Sequence, residues 1–259
     1  MSPAVATADG FRRVNRGRSH SYQDAAGNKV PGVTTLIDQG VPKPGLITWA
    51  AEEVAYWAAD NRDRLAGMKP RDIVKAALDA FKAGRRGALN RGTRIHDVAE
   101  QLMTGKPVEV PAELDAVAVT FLRFVEEWAV HPIAFEAVVL NRRRGYMGTA
   151  DLICRLGSRY ALIDYKTGRS GIWPETALQL AAYANAEVYV TAEGEYPMPS
   201  FEVVAGLWLQ DDGYDLVPVD AGEETFRAFL YAAQVAAWRS KDRSEVVYEP
   251  IAPPSTEGV

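Results

Sequence analysis

The chain has 259 residues, of which 47% are hydrophobic and 24% charged, the mixture of a folded globular protein with enough apolar material for a core. No run approaches the roughly 18 apolar residues of a membrane span, and the first thirteen residues lack the apolar stretch of a secretory signal. A single cysteine, Cys154, excludes an internal disulfide, a multi-cysteine zinc site and a four-cysteine iron–sulfur cluster, so the expectation is a soluble protein of the cytoplasm with no membrane partner.

In chain order, residues 11–30 read as a hairpin, Ser21, Tyr22 and Gln23 facing Lys29, Val30 and Pro31 across a loop of turn formers. Thr34 or Thr35 is the expected cap of a short helix. Helical spacing follows at 46–59, at 70–83 behind Pro70, at 93–103 and at 112–130. Beyond Pro132 the texture turns to β. Segments 133–140, 146–156 and 160–166 read as three consecutive strands, followed by a helix over 174–190, strands at 201–210 and 215–219, and a helix over 223–239. This gives an α/β fold, divided into an N-terminal hairpin and helical part (1–91), a core (92–240) and a loose C-terminal tail (241–259), all in one compact unit.

The net charge of −5 argues against nucleic acid only when taken whole. Lys82 to Arg94 holds five basic residues and no acid, and 141–169 holds seven against two acids, Asp151 and Asp164. The segment 187–225 holds ten acids and no Lys or Arg. Phosphate-binding charge is counted at the groove rather than over the chain, so two basic clusters bracketing two isolated carboxylates point to a phosphate-bearing partner.

On a strand, Asp164 and Lys166 share a side, and Asp164 interrupts the apolar run Ala161-Leu162-Ile163. A carboxylate there is costly unless a cation compensates it. A divalent ion shared by Asp151 and Asp164 would do so, with Lys166 beside it to polarise the attacking water or stabilise transition-state charge. A buried Asp–Lys pair that only specifies strand packing is the other reading of the same residues. Glu136 reads as a solvated strand position, with a place around the metal site as its alternative. Arg142, Arg143 and Arg144 precede Gly148 in a loop placed for phosphate contacts, Arg94 shares a helix with His96, and Arg169 follows the strand end.

Gly148-x-x-Asp151, Asp164-Tyr165-Lys166-Thr167-Gly168 and Gln179-x-x-x-Tyr183, preceded by Gly92 and His96, resemble the nuclease motifs of the RecB-type branch of the PD-(D/E)XK superfamily. That branch includes RecB nuclease domains, CRISPR-adaptation nucleases and phage exonucleases, and the resemblance runs from about Gly92 to Tyr183. It implies a restriction-endonuclease-like core, a mixed β-sheet flanked by helices in the order αβββαβ, with an N-terminal helical part. It also implies that His96, Asp151, Asp164 and the main-chain carbonyl of Tyr165 ligate Mg²⁺ or Mn²⁺. Lys166 would be the catalytic lysine, and Gln179 and Tyr183 would orient it or contact DNA.

The implied activity is metal-dependent DNA hydrolysis, as an exonuclease in recombination, repair or phage replication, inside a bacterium or a phage-infected host. The cysteines of the iron–sulfur relatives are missing, and so is a GxxxxGK[ST] phosphate loop. A helicase, recombinase or annealing partner would therefore be a separate chain, and the resemblance allows an oligomer. An endonuclease on the same scaffold, a non-catalytic DNA-binding module and an unrelated α/β enzyme are the competing readings.

Overall fold

The N-terminal hairpin is a three-stranded antiparallel sheet in the computed structural model, which describes residues 5–16, 19–105, 109–168 and 171–251. Its strands are β1 (Arg12–Arg16), β2 (Ser19–Gln23) and β3 (Lys29–Val30). The expected pairing is β2 with β3, and β1, whose Arg-Arg-Val-Asn-Arg shows no apolar alternation, adds a third strand antiparallel to β2. α1 (Val33–Gly40) starts from Gly32 rather than a threonine, and buries Val33, Leu36 and Ile37. α2 (Pro44–Asp60) buries none of its residues, and the single-turn α3 (Arg62–Leu65) follows.

α4 (Pro70–Met103) then runs 34 residues without a break, where two helices had been expected. Gly84, Gly87 and Gly92 each cost a helix about 1 kcal/mol of propensity, but both ends are held by packing. Phe81 meets Trp49 of α2 with ring centroids 5.5 Å apart. Ile95, Val98 and Ala99 join Val117, Ala118 and Phe121 of α5 (Asp115–Glu127). The helix thus carries through the expected boundary at 91–92, and the N-terminal part and the core share one element.

The main sheet contains β4 (Val130–Asn141), β5 (Tyr146–Leu156), β6 (Arg159–Lys166), β7 (Val188–Thr191), β8 (Gly194–Pro197), β9 (Val203–Leu209) and β10 (Tyr214–Pro218). Their order is β10-β9-β6-β5-β4-β7-β8, parallel only between β6 and β9. The helix expected over 174–190 stops early as α6 (Pro174–Ala184), because the β-branched Val188, Val190 and Thr191 pair or continue along the edge of β4 as β7. α7 (Glu223–Arg239) lies where it was expected.

Helices cover both faces of the sheet. α4 and α5 pack on Leu152, Cys154, Ile163, Tyr165 and Leu207. On the other face Val33, Ile37, Leu180 and Phe229 pack on Ala150, Ile153 and Leu162. Covered twice, β5 reads as a continuous apolar run at 152–154 rather than an alternating strand. Each large side chain fully buried in these layers contributes about 1.5–3 kcal/mol. The small sheet closes a third cluster, Tyr22 and Val30 against Val138, Leu140 and Met147. The fold is therefore α/β, with a mixed seven-stranded sheet flanked by helices. Among the described residues no helix is long and apolar enough to cross a membrane.

Candidate metal centre

β5 and β6 pair from Leu156 and Arg159 as far as Leu152 and Ile163, and there the ladder ends. One residue beyond, the Asp151 side chain takes over: its Oδ2 accepts the Tyr165 N–H at 2.8 Å. Across the other ladder, Phe135 pairs with Leu152 and Ala137 with Ala150, which sets Glu136 opposite Asp151. Glu136 has φ +46°, a left-handed backbone that costs a non-glycine residue about 1–2 kcal/mol. The consequence is a break in alternation. Ala134, Ala137 and Val139 fall in one cluster, as do Ala150 and Ile153, so both strands shift phase at the carboxylates.

α4 brings the third group. His96 Nδ1 lies 3.5 Å from Asp151 Oδ1 and 3.6 Å from Glu136 Oε1, with its ring edge-on to Tyr165. One ligand atom from each of His96, Glu136 and Asp151 lies within 4.8 Å of the other two. The reading of Glu136 as a solvated position is thereby corrected: only a backbone reversal that sequence does not display turns it inward. Arg13 of β1, also unforeseen, reaches Glu136 Oε2 at 3.4 Å.

Asp164 stands beside this triad rather than in it. It is 2% exposed. Its Oδ1 accepts from Gln179 Nε2 at 2.7 Å, and its Oδ2 forms an ion pair with Lys166 Nζ. The group of three possible ligands that converges is His96 and Asp151 with Glu136, while Asp164, expected beside them, holds Gln179 and Lys166. Lys166 shares a side with Asp164 as the strand period requires. Tyr165 contributes its N–H, while its ring packs between Phe121 and His96.

Gln179 also donates to the Tyr183 hydroxyl at 3.3 Å, so it orients Asp164 rather than the lysine directly. Tyr183 is 2% exposed and cannot touch DNA; its ring fills the space that Gly148 leaves open. A Cβ at Gly148 would stand 2.4 Å from Tyr183 Cε1.

The charges act on one another strongly. Burial pushes the Asp151 carboxyl up to about 7, helped by Asp164 and Glu136 and opposed by His96 and Lys166. Burial works against a charged His96, yet Asp151 and Glu136 raise it to about 9. Lys166 is raised by Asp164 and Asp151 against the pull of burial. Glu136 is lowered despite its burial, by His96 and Arg13. Two hard carboxylate oxygens and an imidazole nitrogen are a donor set that fits a divalent cation, which would compensate the burial that, with the neighbouring acids, disfavours a charged Asp151.

The arginines expected at phosphates lie elsewhere. Arg94 sits about 160° around α4 from His96 and pairs with Glu113 Oε1 at 2.7 Å. Arg142 is enclosed by Asp9 at 2.7 Å and Glu195 at 2.8 Å, with Glu187 at 3.9 Å. Its charge is already matched, on a turn about 17 Å along the ribbon from Glu136. Arg143 is 91% exposed beside Glu187, and Arg144 is exposed with its main-chain N–H on Asn141. Arg169 lies outside the described residues.

No family model matches the chain, and no curated protein matches it either.

Proposed function

We propose that the chain is a Mg²⁺- or Mn²⁺-dependent DNA nuclease with a restriction-endonuclease-like core, related to the RecB-type PD-(D/E)XK branch and acting as an exonuclease. One observation carries this reading. The end of the β5–β6 ladder gathers His96, Glu136 and Asp151 around one point and sets the Asp164–Lys166–Gln179 chain beside it. A lone packing pair of Asp and Lys would need neither the histidine nor the strained Glu136.

His96, Glu136 and Asp151 would hold the cation. When bound, it supplies Lewis-acid activation of water and neutralises charge on a phosphoryl oxygen. Arg13 fixes Glu136, and the Tyr165 N–H fixes Asp151. Lys166 carries a fully protonated ammonium, aimed by Asp164, that can donate to a phosphate oxygen as negative charge builds there. Gln179 keeps Asp164 in place, so the lysine is positioned through two further side chains.

The test is hydrolysis of end-labelled linear DNA and of closed circular DNA, with Mg²⁺, with Mn²⁺ and with chelator. Metal-dependent loss of the linear substrate is expected, lowered about 10²–10³-fold in Lys166→Ala. Cutting of closed circles would convert the reading to an endonuclease. No cleavage of any substrate by folded, metal-loaded protein would sink it.

A further inference from the structure

The basic cluster at 82–94 divides by face once α4 is seen to be continuous. At about 3.6 residues per turn, Arg91 and Arg94 fall on the side of the helix away from His96. There Arg91 meets Asp211 at 2.7 Å, and Arg94 meets Glu113. Arg85 and Lys82 precede His96 by 11 and 14 residues, close to three and four whole turns, and so share its face. Lys75, Arg71 and Arg86 lie within about 80° of the same line. All five are exposed, and none forms an ion pair among the described residues. The Arg86 Nε donates to the Lys82 carbonyl, which leaves its charge unmatched.

The neighbouring groups leave this stripe open. α2 borders the stripe on one side only: Trp49 meets Phe81, about 60° round from His96 on the side opposite Lys82, Lys75 and Arg86, and Ala77 is buried further round that side. The two acids among these residues on α4, Asp72 and Asp79, sit about 120° and 100° from His96, on the flank of the stripe, and neither forms an ion pair with it. Toward the core, α4 passes the end of β6: a Cβ at Gly92 would lie 3.6 Å from Thr167 Oγ1. The stripe thus starts beside the Lys166 strand and leads outward, with Arg85 about 16 Å and Arg71 about 38 Å along the helix from His96.

We infer that the His96 face of α4 is a track for the phosphate backbone of DNA, in which Arg85, Lys82, Arg86, Lys75 and Arg71 hold the strand that runs to the metal centre. The stretch from Arg71 to Arg85 is about 21 Å, which matches about six phosphates of one strand of a duplex. This rests on the nuclease reading and adds to it the path of the substrate. It also explains why α4 is kept as one long helix across three glycines: a break would separate the track from the histidine.

The experiment measures binding of a fluorescent 30-mer duplex in chelator over a range of salt concentrations. It compares the wild-type chain, the variant Lys82→Gln/Arg85→Gln/Arg86→Gln, and a charge-matched control, Arg155→Gln/Arg159→Gln/Arg227→Gln. The stripe variant should bind at least tenfold more weakly near 100 mM salt, and its slope of log K against log[salt] should fall by about one unit per residue removed. Its Mn²⁺-induced rise in Tm should match that of the wild type, and the control should bind as the wild type does.

Equal affinity and slope in the stripe variant and the wild type would overturn the track. If the wild type cleaves DNA while that equality holds, the track alone fails. If the wild type neither binds nor cleaves, the nuclease reading fails with it. Should the triple variant not fold, Arg85→Gln alone decides, by a slope change of about one unit or none.

Discussion

Two clusters in this molecule each set three acids against cations and come out opposite. At the β4–β5 turn, Arg142 lies among Asp9, Glu187 and Glu195, and Asp9 is lowered to about 2. Midway along the same ribbon, where the β5–β6 ladder ends, Asp151 lies between His96, Glu136 and Asp164 and is raised to about 7. Nearest charges do not separate them, because each aspartate has a cationic partner within reach. Water does. The Asp9 side chain is 48% exposed and that of Asp151 10%, so desolvation is a minor influence on one and dominates the other. The turn cluster is a set of surface ion pairs in water; at the ladder end the charges are balanced but desolvated, and His96, Glu136 and Asp151 converge on one point where a cation could replace the bound protons.

The largest expected effect breaks that contrast at its buried end. In Asp151→Asn the Mn²⁺-induced stabilisation should vanish. In the wild type it should reach about 2.7 kcal/mol at a metal concentration of 100 Kd, measured as a rise in Tm. A variant that keeps the metal-induced shift would show that Asp151 is not a ligand. Next comes the packing that supports the site. Gly148→Ala should cost about 1–3 kcal/mol in urea denaturation, because the new methyl meets the Tyr183 ring at 2.4 Å. Loss of activity should exceed what the stability change explains, since Tyr183 bears on Gln179 and through it on Asp164. Unchanged stability would mean that the ring and strand separate freely.

Dependence on pH sharpens the comparison further. In metal-free protein Asp151 stands at about 7 against an ordinary 3.8, and His96 at about 9 against 6.5. Both bind protons more tightly in the folded chain than in the unfolded one, so their contribution is full below the unfolded values and is lost as pH rises through 7 and then 9. Tm in chelator should therefore fall between pH 6 and 9. The same protons must leave for a cation to bind, so Mn²⁺ affinity should rise over that window. A metal affinity independent of pH from 6 to 9 would contradict the assignment of His96 and Asp151 as ligands.

Asp9 behaves in the reverse sense: its contribution is present above 3.8 and is lost as pH falls toward 2. The smallest effect belongs there. Arg142→Ala should cost no more than about 1 kcal/mol, screened by salt, and should leave activity intact. A loss of DNA affinity in that variant would return Arg142 to the phosphate contacts that its sequence position first implied.

Much of this was legible in the residues themselves. Alternation and turn chemistry located β4, β5 and β6, and the period of two placed Asp164 and Lys166 on one side of β6. The spacing of four placed Gln179 and Tyr183 together on α6. His96 and Asp151 were identified as metal-binding candidates from motif order, and the structure brings them together. Each of these rests on local geometry, which sequence spacing encodes directly.

What tertiary structure decided lies in contacts between elements distant in the chain. Whether an acid is spent or available depends on which element folds over it. Arg13 reaches Glu136 across 123 residues, and Arg142 meets Asp9 across 133. Glu136 enters the site through a left-handed residue inside a strand, a conformation that no residue type at that position announces. α4 stays whole through three glycines because Trp49 and the α5 core hold its two ends, and that continuity sorts the arginines of one basic cluster onto opposite faces. Sequence determined which chemistry is present and on which side of each strand or helix it stands. Only the packing of those elements decided which charges are neutralised by the protein itself and which are left for a cation and a phosphate backbone, because burial and partnership belong to the assembled fold.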